Sequence, residues 1–356
     1  MTGTRVLVTG IDGYIGAVLG PRLLEKGFDV VGIDCGFYRD GWLYNDPRPR
    51  PLTLTKDVRR ITREDVEGFD AVVHLAELSN DPLGELSERT TYGINHLGSV
   101  SLARVCKEAG VARFVYTSSC SVYGAADDGL ERTEASHPNP QTAYARCKVL
   151  VEQDVGSLAD SRFSPIFLRN ATAFGASPRM RFDIVLNNLA GFAWTEKEIR
   201  MTSDGTPWRP LVHVEDICQA INLALDAPRE AVHNQIFNVG DDEQNYRIGE
   251  IATIVGRAFD GCTIAFGRPG GDNRSYRTSF GKIRRHLPEF RCSWSADLGA
   301  HQLRELFEGI QMTNEVFSSR AFTRLRQLTH LISTQQIDTD FYWRHFESYR
   351  GNGRLS

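Results

Sequence analysis

The octapeptide TGIDGYIG, residues 9–16, directly follows the apolar run Val6-Leu7-Val8 and constrains the fold more than any other stretch of the chain. A buried strand has to turn into a helix there within a few residues. Gly10, Gly13 and Gly16 allow positive backbone angles, close approach of a pyrophosphate, and tight packing of helix on sheet. The helix N-terminus then points its free N–H groups at the phosphates. With Asp12, Tyr14 and Ile15, these glycines form the expected cofactor loop. A second apolar run, Val30-Val31-Gly32-Ile33, ends in Asp34, where a carboxylate accepts hydrogen bonds from the hydroxyls of an adenosine ribose. A 2′-phosphate would meet that negative charge, and the chain offers no cation after it until Arg39, so the pattern favours NAD over NADP.

Further apolar runs at residues 71–75, 114–117 and 166–168 are separated by segments long enough for crossover helices. Strands covered on both faces read as continuous apolar runs, so the fold class is α/β: a Rossmann-type doubly wound parallel sheet with its ligand at the C-terminal strand ends. Residues 39–55, with prolines at 47, 49 and 51, read as a loop or short lid. Beyond Gly175 the pattern loosens into a smaller, interleaved substrate lobe. The expected division is residues 1–175 for the dinucleotide lobe, with 206–240 returning to it, 176–205 and 241–310 for the substrate lobe, and 311–356 for a helical tail. In residues 212–225 a strand end leads into a helix with Asp216 as N-cap. In the tail, Phe322, Leu325, Leu328, Leu331 and Ile332 recur at helical spacing with Arg320, Arg324 and Arg326 among them, which reads as packing or interface.

Charge excludes some partners. Lys plus Arg number 41 against 45 acids, a balance of −4 that gives no global case for nucleic acid or an anionic membrane surface. No apolar run approaches the roughly 20 residues of a membrane span. Seven cysteines, at 35, 106, 120, 147, 218, 262 and 292, form no CxxC pair and no metal-ligand spacing, which fits a reducing cytoplasm and a site without metal.

Tyr144 and Lys148 stand four apart in TAYARCK, a stretch free of Gly and Pro, so a helix presents both on one face. Ser118 and Ser119 end the run 114–117, on the same sheet edge as the glycine loop. These parts suit hydride transfer at a carbinol. An isolated tyrosine, with a pKa of about 10, is a poor base at neutral pH, and a neighbouring ammonium favours its phenolate. Tyr144 then takes the hydroxyl proton, Ser119 hydrogen-bonds the same oxygen, and Lys148 tunes the phenol and grips the nicotinamide ribose.

With these motifs in place the chain resembles the extended short-chain dehydrogenases/reductases, in the branch of nucleotide-sugar epimerases and dehydratases. The resemblance covers nearly the whole chain and is carried by TGIDGYIG, Asp34, Lys56-Asp57-Val58, His74-Leu75-Ala76, NHLGS from Asn95, SSCSVYG, YARCK and LRNATAFG. It implies Asp57, Val58, Leu75, Ala76, Asn95 and Ser118 as further cofactor contacts. In the second lobe Asn187-Asn188-Leu189, DGTPWRPLVHVED and RPGGDNRSYRTSFGKI are similar to the family's sugar-nucleotide contacts. They imply Asn188, Leu189, Arg209, Arg268 and Arg274 on the substrate, the arginines on its diphosphate. Ser121 and Thr172 join them nearer the sugar. A homodimer through a four-helix interface built from residues 97–109 and 143–158 is also implied.

Two positions depart from the family pattern. After Ser119 a 4,6-dehydratase shows an Asp-Glu pair, whereas this chain has Cys120 and Ser121, which argues against loss of water across carbons 5 and 6. Cys120 reads either as a small buried hydrophobe or as a thiol exchanging a proton with a sugar carbon. The similar 3,5-epimerases carry their cysteine one position later, at Ser121. Glu77 stands where the family has Ala or Gly, and reads either as an acid or base or as a hydrogen-bonding partner of backbone or ribose. The resulting expectation is an NAD-dependent 4-epimerase of a nucleotide-diphosphate sugar. The alternatives are a dehydratase using Cys120 or Glu77, a 3,5-epimerase and a 4-ketoreductase, with a non-catalytic dinucleotide sensor as the rival from another class.

Overall fold

The computed structural model describes residues 3–79, 86–125, 130–268 and 274–344. Seven strands form the central sheet: β1 (Arg5–Thr9), β2 (Asp29–Asp34), β3 (Leu52–Thr55), β4 (Ala71–His74), β5 (Arg113–Ser119), β6 (Ser164–Asn170) and β7 (Gln235–Val239). Their spatial order is β3-β2-β1-β4-β5-β6-β7, and every neighbouring pair is parallel. The order reverses between β1 and β4, which opens a crevice at the carboxyl ends of those two strands, where a ligand fits between the crossovers. Val6, Leu7, Val8, Val72 and Val73 are fully buried, each contributing roughly 1.5–3 kcal/mol by leaving water.

The runs at the first two strands, and at β4, β5 and β6, coincide with the apolar stretches of the sequence. Two strands do not. β3 lies at the end of the stretch read as a loop or lid, where an exposed edge asks for no apolar run; Leu52 is 67 % exposed. β7 carries its buried signal only in Phe237, Asn238 and Val239.

Helices α1 (Gly16–Glu25), α2 (Ser99–Ala109) and α3 (Ala143–Gly156) follow in chain order, then α4 (Val185–Thr195), α5 (Val214–Asp226), α6 (Ile248–Ala258), α7 (Ala296–Gly309) and α8 (Arg324–Ser333). α1 and α5 cover one face of the sheet, and α2 and α3 the other. A π-helical segment, Tyr92–Gly98, leads into α2. α4, α6 and α7 pack together in the smaller lobe, whose core is continuous with the first face of the sheet. The strand Trp208–His213 joins Thr172–Phe174 and Asn245–Arg247 in a separate three-stranded sheet.

The N-cap of α5 differs from expectation. His213 adopts the extended backbone and accepts the Glu215 N–H on its ring nitrogen, and Asp216 sits within the first turn. The Asp216 carboxylate instead accepts the N–H groups of Ser293 and Trp294, tying the helix start to the smaller lobe; burial raises its pKa to about 6. The C-terminal segment packs as its pattern suggests, but against the cofactor end of the sheet. Leu328, Leu331, Ile337 and Phe341 join the core beside Ile33, Phe37 and Val58. No helix among the described residues is long and apolar enough to cross a membrane.

Candidate active site

A cleft of about 600 Å³ opens at the carboxyl ends of β1, β2, β4 and β5. Its first wall is the glycine loop. Gly10 has φ 74°, and a Cβ there would lie 2.8 Å from the Ala76 nitrogen, so only glycine lets the loop pass the end of β4. A Cβ at Gly16 would strike the carbonyl oxygens of Gly10 and Ile11, which holds α1 tightly under the turn. Gly13, Tyr14, Ile15, Asp57, Val58, Leu75 and Ala76 also line the cleft. Asp34 lines it too, its carboxylate accepting the Gly36 N–H at 2.8 Å and the Asp12 N–H at 3.2 Å. Burial and the neighbouring Asp12 raise its pKa. Asp12 contributes this backbone contact without lining the cleft.

Beneath the loop a histidine holds two walls together. His74 shares a hydrogen bond with the Thr9 hydroxyl at 2.6 Å and another with the Ser99 hydroxyl at 2.8 Å. Burial lowers its pKa to about 3, so the ring is neutral and acts as a fixed bridge between β1, β4 and α2. Asn95, expected on the cofactor, is spent on the backbone: its amide accepts the Leu78 N–H at 2.8 Å and donates to the Leu78 carbonyl at 2.9 Å. The π-helical segment thereby fixes the course of the chain past Ala76, and Asn95 itself does not line the cleft.

Ser119, Tyr144 and Lys148 all line the same cleft. Thr142 caps α3 by accepting the Ala145 N–H at 3.2 Å, so Tyr144 starts the first turn and Lys148 follows one turn later. The Lys148 ammonium lies 5.3 Å from the Tyr144 ring centroid and donates to the Thr117 carbonyl at 2.5 Å. Ser119, at the end of β5, accepts the Ser121 N–H at 3.1 Å. Its neighbour Ser118 also borders the cleft, but its hydroxyl donates to Glu152 at 2.5 Å. Glu152 is in turn held by the Arg169 guanidinium through two hydrogen bonds, of 2.9 and 2.6 Å.

The two departures from the family pattern have different outcomes. Cys120 is fully buried, donates its thiol to the Arg169 carbonyl at 3.2 Å and does not line the cleft; burial pushes its pKa up. Its environment is that of a core side chain. Glu77 does line the cleft and forms an ion pair with Lys148, the two side chains 3 % and 4 % exposed. The Tyr116 hydroxyl donates to the other Glu77 oxygen at 2.5 Å. Burial raises the Glu77 pKa, opposed by Lys148. For Lys148 burial works against the charge, but Glu77 and Tyr144 outweigh it and the pKa rises.

Ser121, Thr172, Asn188, Arg209 and Arg274 also line the cleft. The Ser121 hydroxyl is buried without a hydrogen-bond partner among the described residues, and Asn188 donates its amide to the Phe182 carbonyl at 2.8 Å. Arg209 donates to the carbonyls of Trp208, at 2.8 Å, and Arg274. Leu189 is buried away from the cleft, because α4 turns that face into the smaller lobe; Arg268 is exposed and outside it. The rest of the RPGGDN segment, residues 269–273, lies outside the described residues. The cleft also takes groups that no motif singled out, among them Tyr38, Arg181 and Asp183, and Arg324 lines it rather than only packing. Arg324 had a signal, since it shares the i, i+4, i+7 stripe of Leu328 and Leu331.

The residues fit NAD. Gly10 and Gly16 leave the backbone bare where a dinucleotide passes, and Asp34 presents a carboxylate rather than a cation at the ribose position. The sequence profile of the NAD dependent epimerase/dehydratase family matches residues 6–240. UDP-glucose 4-epimerase of Neisseria gonorrhoeae is 29 % identical over 288 residues, 72 % of this chain and 82 % of that protein. UDP-glucose 4-epimerase of Corynebacterium glutamicum is 30 % identical over 269 residues, 70 % of this chain and 79 % of that one. Among solved structures, MoeE5 in complex with UDP-glucose and NAD superposes with a TM-score of 0.74 at 25 % identity, covering 86 % of this chain and all of that one (100 %).

Proposed function

The chain belongs to the NAD-dependent epimerase/dehydratase family of enzymes, and from that premise we propose that it inverts carbon 4 of a nucleotide-diphosphate hexose through a transient 4-ketone. The observation that carries this reading is the convergence of Ser119, Tyr144 and Lys148 on one cleft that Arg209 and Arg274 also line. Bound NAD supplies the hydride acceptor and, in the return step, the donor. Tyr144 takes the proton of the 4-hydroxyl while Ser119 hydrogen-bonds the same oxygen. Arg209 and Arg274 hold the diphosphate while the ketone turns its other face to the nicotinamide side, and Tyr144 then returns the proton. No external reductant is consumed.

Cys120 and Glu77 favour this reading over the dehydratase. Loss of water needs a base at carbon 5 and an acid for the leaving hydroxyl. The thiol is turned into the core, and the carboxylate is committed to Lys148 and Tyr116. The same placement removes the thiol that a 3,5-epimerase reading requires. A ketoreductase would need stoichiometric NADH or NADPH. Two further parts of the reading are a homodimer through α2 and α3, supported by Leu97, which is 61 % exposed just before α2, and a cytoplasmic setting, supported by seven unpaired cysteines and testable by cell fractionation.

Tyr144→Phe tests the chemistry. Turnover of the accepted nucleotide sugar should fall by on the order of a hundredfold or more, with NAD still bound in the purified protein. Full activity in that variant would remove the mechanism.

A further inference from the structure

Two guanidinium groups on the cofactor side of the cleft take no part in the reaction above. Arg181 is 7 % exposed; its Nε donates to Asp183 at 2.8 Å and its Nη1 to the Ser79 hydroxyl at 3.1 Å. Its Nη2 is buried and donates to nothing among the described residues. Arg324, the first residue of α8, is 3 % exposed and lies 3.9 Å over the Tyr38 ring centroid. Its backbone N–H donates to Asp183 at 3.2 Å, while its side chain makes no hydrogen bond among the described residues. Both arginines line the cleft that contains Gly10, Gly13 and Gly16.

Two buried cations beside one carboxylate make a costly arrangement, because burial without a full set of acceptors sacrifices hydration that nothing replaces. Asp183 outweighs burial for Arg181, whose pKa rises, whereas burial lowers the pKa of Arg324. An anion reaching this wall would restore the balance, and a planar guanidinium suits phosphate oxygens. Arg209 and Arg274 are already assigned to the diphosphate of the sugar nucleotide. The phosphates that pass between the glycine loop and this wall are those of the dinucleotide.

Resting on the reading that the cofactor is NAD, we propose that Arg181 and Arg324 bind the pyrophosphate of NAD opposite the glycine loop, and that α8 thereby governs cofactor release. The anchoring of the segment agrees with such a role. Gln327 donates to the Phe37 carbonyl at 3.0 Å, and the Trp343 indole donates to the Cys35 carbonyl at 2.8 Å, so the segment is tied to the chain just after Asp34.

The test uses the holoenzyme. Release of NAD is followed by trapping it with excess alcohol dehydrogenase and ethanol and reading NADH absorbance, for the parent protein, Arg324→Lys and Arg324→Met. Met fills the space over Tyr38 without a charge, whereas Lys keeps the charge with poorer shape. A phosphate contact predicts release accelerated by on the order of tenfold or more in the Met variant, with Lys in between. Equal release from all three proteins, or faster release from Lys than from Met, would overturn the proposal. So would two other patterns: accelerated release seen only when the protein is loaded with NADP, which would assign the arginines to a 2′-phosphate, or weakened UDP-glucose binding with NAD release unchanged, which would assign them to the substrate. If the parent protein carries and binds no NAD, the cofactor reading itself fails, an outcome distinct from the failure of the clamp alone.

Discussion

At the scale of single residues, the site turns on what surrounds Lys148. Its ammonium has three protons; one goes to the Thr117 carbonyl and one toward Glu77. The ion pair therefore tempers the positive field that Lys148 exerts on Tyr144, 5.3 Å away at the ring centroid. Glu77 in turn holds the charge of Lys148 against burial, so in Glu77→Gln the ammonium loses its counter-ion and kcat should fall by on the order of tenfold or more with NAD still bound. An unchanged kcat in a folded Glu77→Gln protein would contradict that role. The Tyr-Lys pair was legible because helical periodicity alone places residues four apart on one face. Its partner was not, since the Glu77 contact joins the end of β4 to α3 and no local pattern encodes it. Motifs give a residue's place along the chain and not the direction of its side chain. That is why Asn95, expected on the cofactor, holds the Leu78 backbone, and why Ser118, which does border the cleft, directs its hydroxyl to Glu152.

At the scale of elements, legibility followed burial. Strands covered on both faces wrote themselves as apolar runs, whereas β3 sits at an open edge and left no such mark. The helix α8 was readable from its stripe of Leu328 and Leu331, but what it packs against was not, because amphipathicity specifies a buried face and not the surface that buries it. α2 and α3 lie side by side on one face of the sheet, and the proposed dimer uses both. Light scattering at micromolar concentration should report twice the chain mass, and Leu97→Glu should shift it towards monomer by placing a charge in an apolar contact. A parent protein that is monomeric at that concentration would contradict the dimer.

At the scale of the whole molecule, one cleft receives residues from both lobes and from the C-terminal segment. The sheet supplies the glycine loop, Asp34 and Ser119, α3 supplies Tyr144 and Lys148, the smaller lobe supplies Arg274, and α8 supplies Arg324. A core that runs without interruption from the sheet into the smaller lobe keeps these contributions in register. Such positioning is what the reaction demands, since the nucleotide has to stay fixed while only the hexose ring turns. The most direct measurement is incubation of the protein with a panel of nucleotide-diphosphate hexoses in deuterated water, without added NADH, followed by NMR and mass analysis. Inversion at carbon 4 without uptake of deuterium is the predicted result. Deuterium incorporated beside the carbonyl carbon, or loss of water from the sugar, would contradict the account.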